Sequence, residues 1–427
     1  MATSSTPVNA GAALEPMSMG EVLRIAPMRR LWYAQIVSTF GDMVALYAVI
    51  AVMTFKLGAN PQQLTGVQIS FMLPIAVLGV IAGVFVDRWP LKPTMVASDM
   101  TRALLVLLLL LATRIGRFYP YYAVLALISV VSSFFQPAQG VALRSLVPLH
   151  GLRSANALMQ QVMMGMRIIG PFVAAMLVAA FGATSCYWAD AASFVASGCL
   201  IASIALRVEP KAAPVGSIAA EEAKGLRKIG LDMKQGFDFI FHHAGLLFVI
   251  LALSSGMFVL GCFGPLIAVY VRDSLHASTK TFGFASSAIG FGMLCGINGL
   301  TVFAKKVKNT LLVYAGLSGI AAGLVLLTLE THVWTTIVGD LIIGVSVAGI
   351  IIPAQTLIQQ ETPHALMGRV GSTVMSFIFG AQICGLVLSG ILAERIGVRH
   401  VFAVCAGLLG VLIGVGRVWM EPRENVA

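Results

Sequence analysis

Apolar runs of about twenty residues recur from end to end of the chain, each closed by a short cluster of polar residues, glycine or proline. Folded as a helix, a run of that length crosses a hydrocarbon core of about 30 Å. The runs lie near 31–57, 66–86, 94–113, 119–138, 156–180, 185–206, 244–270, 281–303, 310–329, 333–354, 367–391 and 397–418, which predicts twelve spans. The longest polar interval, 207–243, separates the sixth span from the seventh and mixes Lys224, Arg227 and Lys228 with Glu221 and Glu222. Within it, "GLRKIGLDMKQGFDFIF" reads as an amphipathic helix.

A shift of 215 or 216 residues lays one half of the pattern on the other. Gly83 meets Gly299, "PAQ" at 137–139 meets "PAQ" at 353–355, Pro148 meets Pro363, Gly170 meets Gly385 and Gly182 meets Gly397. A common offset across separate landmarks points to a duplicated unit. The expected fold is an all-α membrane protein with twelve transmembrane helices in two pseudo-symmetric six-helix bundles. The expected boundaries are an N-terminal tail at 1–30, a first bundle at 31–206, a linker at 207–243, a second bundle at 244–418 and a C-terminal tail at 419–427. Parallel repeats of this kind rock against each other about a site near the bilayer midplane, which is a transporter architecture.

Composition sharpens the class. The chain is 58% hydrophobic and 11% charged, against roughly 25% charged in soluble proteins. Its formal net charge of +10 comes from basic residues scattered at the ends of apolar runs, with no long basic face for a nucleic acid. Twenty of the 28 Lys and Arg, Arg102 among them, fall on segments facing one side, which places both termini in the cytoplasm. The first thirty residues carry no compact apolar core with a cleavage site, so the first span itself directs insertion. Six cysteines lie inside apolar runs without CxxC spacing, which suggests packing and neither disulfides nor a metal site. No catalytic constellation and no Walker-type loop is apparent, so neither an enzyme nor direct ATP coupling is expected, and no cofactor is called for. The chain is read as a multi-pass, monomeric protein of the plasma membrane (the inner membrane in a Gram-negative cell), with the lipid bilayer as its constant partner.

Charges inside the apolar runs carry the candidate chemistry. At roughly 2.5–3.5 kcal/mol each on insertion scales, Asp42, Arg167 and Asp340 oppose insertion and need partners or a wet cavity. Asp42 and Arg167 each lie eleven residues into their spans from the same side, about 16 Å deep. Equal depth allows an ion pair, with two readings: Asp42 exchanges a proton or a cationic substrate while Arg167 favours release, or the pair locks the first half permanently. Asp340, with Gln382, is the candidate lining from the second half, and Gln35, Gln160 and Gln161 are uncharged candidates in the first. Asp190 and Asn298 read as structural.

The stretch "GVFVDRWPLKP" interrupts the apolar pattern between spans two and three. Gly83 would let span two approach a neighbour closely, while Asp87, Arg88 and Lys92 form a candidate cytoplasmic gate, Lys92 doubling as an anchor. In the second half Phe303 stands at the position of Asp87 and only the positive charge of Lys305 and Lys306 is kept, so an acidic latch would belong to the first half alone and favour the outward-facing state. Gly165, Gly170 and Pro171 predict a closely packed, bent fifth span at a moving interface.

These residues resemble those of the major facilitator superfamily over essentially the whole chain. Gly83, Asp87, Arg88 and Lys92 match its G-x-x-x-D-R-x-G-R-R/K loop, with Pro90 and Leu91 as departures. "RSANALMQQVMMGMRIIGPFVAA" is similar to the fifth span of its drug:proton antiporters. "FGD" at 40–42, "SDMTRA" at 98–103 and "DAASF" at 190–194 look closest to the branch of macrolide and siderophore exporters. The resemblance implies secondary-active export of amphipathic small molecules by alternating access, with protons as the coupling ion. Against that branch, span four lacks an arginine. Two other functions stay open: a lysophospholipid or other lipid transporter of the same fold, and a non-transporting membrane receptor or assembly factor.

Overall fold

A computed structural model describes residues 16–86, 89–205, 237–303, 307–363 and 366–424. Its long helices are α1 (Ala26–Ala51), α2 (Pro61–Val86), α3 (Leu91–Ile115), α4 (Phe118–Leu146), α5 (Leu152–Phe181) and α6 (Ala183–Ala202). The second set is α7 (Ala244–Asp273), α8 (Thr279–Phe303), α9 (Asn309–Leu329), α10 (Val333–Glu361), α11 (Met367–Ile396) and α12 (Val398–Glu424). These match the predicted spans. Among the described residues ten of the helices are long and apolar enough to cross a membrane by themselves. α6 is not one of them, because Ser185, Asp190, Ser193 and Ser197 dilute its apolar sequence.

The helices form two bundles of six with the same plan. α1 packs on α5 and α6, and α3 on α6; correspondingly α7 packs on α11 and α12, and α9 on α12. The repeat reaches the backbone at two turns. Gly182 between α5 and α6 has φ +79°, and Gly397 between α11 and α12 has φ +83°, a region that favours glycine. Each glycine N–H caps its helix at 3.0 Å, onto Val178 and Ala393 respectively. One close approach is also duplicated: a side chain at Gly170 would strike Met43 of α1, and one at Gly385 would strike the carbonyl of Phe258 of α7.

Helix length and apolar length differ on one face, where α4 runs to Leu146 and α10 to Glu361, several residues beyond the apolar stretches. Hydropathy marks the bilayer, whereas the backbone hydrogen bonds of a helix continue into water. The sequence reading also missed a short helix, Met19–Arg24, in the supposed tail. Ser18 and Glu21 form a capping box at its start, and Val22 is fully buried. Ser18 holds the Glu21 carboxyl below the usual carboxylate range. The segment docks where α4 meets α5: Met17 N–H donates to His150 O, and Ser154 Oγ donates to Met17 O at 2.6 Å. Residues 237–242 are helical ahead of α7; the rest of the proposed amphipathic segment, 225–236, lies outside the described residues.

The face where α1 begins is called the near face and the opposite one the far face. Contacts joining the bundles cluster in the far half. Gly283 and Gly290 of α8 lie against Ala175 and Ile168 of α5, and Gly390 of α11 lies against Thr65 of α2. Thr65 Oγ1 donates to Leu386 O, Phe282 packs on Tyr47 and Phe55, and Phe172 meets Phe284 edge-on. Along the same helix pairs towards the near face the glycines are open: Gly165 and Gly299, Gly79 and Gly83, Gly371 and Gly380 have no neighbouring atom within 4 Å of an added Cβ. The bundles therefore touch at the far face and part towards the near face.

Candidate functional site

The polar centre of the first bundle is built on α1, α3 and α6. Asp99 and Arg102, one helical turn apart on α3, form a buried ion pair, and Ser197 Oγ of α6 donates to Asp99 Oδ2 at 2.7 Å. The Arg102 guanidinium lies between the rings of Phe135 and Phe194, 4.4 Å from each centroid. Two aromatic faces and one carboxylate compensate its removal from water. Sequence placed Arg102 among the cytoplasmic anchors; it is instead eleven residues beyond the start of α3 and 4% exposed.

Asp42 belongs to this centre. Its neighbour Gly41 has no side chain, and the space is taken by Ser193 Oγ and Asp190 Oδ1 of α6. Asp42 lies within electrostatic reach of Arg102 and Asp99, and Asp190 within reach of Asp42 and Arg102. Three carboxylates thus share one arginine. The expected Asp42–Arg167 ion pair is not formed: Arg167 is exposed on α5 and interacts with Tyr47. Equal depth along two helices fixed the level of the two charges but not the faces on which they lie.

Gln35 sits two turns nearer the near face. It donates to Thr39 Oγ1 at 2.8 Å and reaches Met163 Sδ of α5, and its carbonyl oxygen accepts from Gln139 of α4. Gln139 is the last residue of the first "PAQ", and Gln355, its partner in the repeat, is exposed on α10. Gln160 and Gln161 are exposed on α5, and Gln161 contacts Met19 of the short helix.

The second bundle departs from expectation. Asp340 is fully buried and neither carboxylate oxygen has a hydrogen-bond partner, so it does not line a cavity with Gln382. Gln382 sits where α11 crosses α7, its carbonyl filling the space left by Gly261. In the proposed gate, Gly83 makes no close approach and Lys92 is half-buried in the first turn of α3; Asp87 and Arg88 lie outside the described residues, as do Lys305 and Lys306. In the fifth span Gly165 is open. Gly170 and Pro171 are packing positions, the first against Met43 and the second against Gly283 of α8. Pro171 cannot donate to Arg167 O, and Gly290 of α8 closes on that carbonyl.

Two six-helix bundles meeting at one face, with a charged centre buried inside one of them, define a membrane transporter of the alternating-bundle class. The family model of the Major Facilitator Superfamily matches residues 31–379 and 263–427, and the chain belongs to that family. It is 26% identical over 392 residues to macrolide efflux protein A of Streptococcus pyogenes, covering 89% of this chain and 92% of that one. It is also 26% identical over 365 residues to multidrug efflux pump Tap of Mycolicibacterium fortuitum, covering 82% and 85%. Among solved structures, a bacterial homologue of the iron transporter ferroportin in an inward-facing state aligns with a TM-score of 0.68 at 16% identity, covering 92% of this chain and 99% of that one.

Proposed function

We propose that the protein exports amphipathic small molecules across the plasma membrane by alternating access, with protons moving inward as cargo moves out. The distribution of Lys and Arg supports a cytoplasmic position for both termini; in this reading the near face is cytoplasmic and the conformation opens to the inside. The observation that carries the reading is the one-sided closure of two bundles whose contacting helices part towards that face. Efflux pumps among the relatives support the direction of transport.

In this reading Asp42 is the coupling group. It is only partly buried, whereas Asp99 and Asp190 are closed off. Arg102 takes the part first given to Arg167: it is the positive charge that faces Asp42 and the other two carboxylates of the cluster. Gln35 and Gln139 with Met163 offer donors, acceptors and an adaptable apolar surface to cargo.

The test is reconstitution in vesicles with an imposed pH gradient and a panel of macrolides, cationic dyes and lysophospholipids. The expected result is gradient-driven movement of amphipathic drugs that is lost in Asp42→Asn. Movement of lysophospholipid alone, or of nothing under any gradient, would overturn it.

A further inference from the structure

The first transmembrane helix does not end as an ordinary α-helix. Val52–Lys56 is π-helical, and the chain then turns through Gly58 at φ +66°. Leu57 N–H returns to Val52 O and Ala59 N–H to Met53 O, so neither reaches Thr54 O. The Thr54 hydroxyl is buried without a partner, and Ala59 is fully buried. This far end of α1 therefore presents carbonyl groups that the first bundle does not satisfy, and a buried carbonyl needs a donor.

The donor comes from the other bundle. Arg272, the penultimate residue of α7, sends Nη1 to Thr54 O at 2.9 Å and to Ala59 O at 2.7 Å. Its Nε and Nη2 are held by the two carboxylate oxygens of Asp273, at 2.5 and 2.8 Å. One edge of the planar fork is thus fixed by its own helix, and the remaining nitrogen points across the bundle boundary. A planar guanidinium can do both at once, which an ammonium cannot. Arg272 is largely shielded while Asp273 is half exposed at the far face.

We infer that Arg272 is the bolt that holds the far face shut, Asp273 orienting it, and that the bolt must be drawn for the transporter to open outward. The inference rests on the alternating-access reading, but its geometry concerns conformation and not cargo. In this conformation a charged closure lies at the far face and is contributed by the second bundle; the near-face loop residues Asp87 and Arg88 lie outside the described residues.

The test measures two distances by double electron–electron resonance in the full-length protein with the exposed Cys199, Cys295 and Cys384 replaced by serine. Spin labels at Tyr119 and Trp334 report the far face, and labels at Leu149 and Leu311 the near face; all four positions are exposed and each pair spans the two bundles. Charge-assisted hydrogen bonds of this kind predict that Arg272→Ala raises the far-face-open population roughly tenfold, with a matching shortening at the near face. Arg272→Lys, able to reach only part of the set, should fall between, and Asp273→Asn should shift the same way by less. Unchanged distances in Arg272→Ala would overturn the bolt even if drug export is normal. A reciprocal shift would support it even if no cargo is ever moved, in which case the exporter reading alone falls. Should Arg272→Ala lose its fold, seen as broadening at both faces, Arg272→Lys decides: an intermediate shift supports the bolt and an unchanged one overturns it.

Discussion

In the first bundle Gly170 lets α5 lie on α1 at Met43, and in the second Gly385 lets α11 lie on α7 at Phe258, the same contact displaced by 215 residues. The same displacement that preserves this packing carries Asp42 onto Met257 and Asp190 onto Cys405. Cys405 is buried, and its partner Cys262 donates to Gly385 O at 3.2 Å. At these two positions the second bundle carries sulfur where the first carries carboxylates, while Asp99 falls onto Tyr314. Packing in a duplicated fold is constrained on both sides, because each helix must still find its neighbours. Charge is free to survive in one copy, and a buried charged network kept in only one copy points to a role that packing does not need.

The largest expected effect that could break this contrast comes from Arg102. Arg102→Ala leaves Asp99 buried and unpaired and empties the slot between Phe135 and Phe194, with an expected loss of about 3–5 kcal/mol. Reversible unfolding in mixed micelles checks it, and Asp99→Asn combined with Arg102→Met should recover most of the loss. A small effect would mean that the cluster is no more demanding than the apolar core opposite.

Next comes the division of labour between aspartates. Asp42→Asn should reduce gradient-driven export at least tenfold, whereas Asp340→Asn, at a fully buried position, should leave it within about twofold. Export assays in one vesicle preparation compare the two. Equal losses would make the bundles chemically equivalent after all.

Third, Gly385→Ala should cost more than Gly170→Ala. The added methyl meets backbone at Phe258 in one case and the Met43 side chain at 2.6 Å in the other. Overpacking is expected to cost about 1–3 kcal/mol; Met43 Cβ is fixed to its own backbone and yields little, so the ranking follows the closer approach onto the Phe258 backbone. Unfolding midpoints of the two variants rank them.

The smallest effect concerns the helical segments ahead of each bundle. The Glu21 carboxyl is held below its ordinary range by Ser18, so it adds stability above that range and the contribution is lost as pH falls through the lowered value. Amide exchange at residues 18–24 should quicken on acidification, while the helical turn at 237–242, remote from Glu21, should respond less.

The spans were legible because burying a helix in lipid demands a long apolar run, and the pseudo-repeat was legible because Gly182 and Gly397 need the same unusual turn. The capping box, Ser18 followed three residues on by Glu21, is present as a signal and is passed over when residues 1–30 are read as a tail. The site was legible only in part. Asp42 stands out in any hydropathy profile, whereas Arg102, already well inside the run at 94–113, is counted with the anchors, and its true partners, Phe135 and Phe194, come from two other helices. Arg167 has the right depth and the wrong face, which a depth count cannot detect. The carbonyls of Thr54 and Ala59 leave no mark in a sequence at all, because every residue has one.

The seam between α5 and α8 also sets the mechanics. Its innermost close contact, Gly290 on Ile168, falls near the middle of α5, with about 20 Å of helix on the far side and about 24 Å on the near side. A seesaw with arms that nearly match transmits displacement at a ratio close to one. In the alternating-access reading, whatever width the near mouth gives up the far mouth gains, so a single tilt of one rigid half would resize both openings together and leave little room for a state in which cargo and solvent pass straight through.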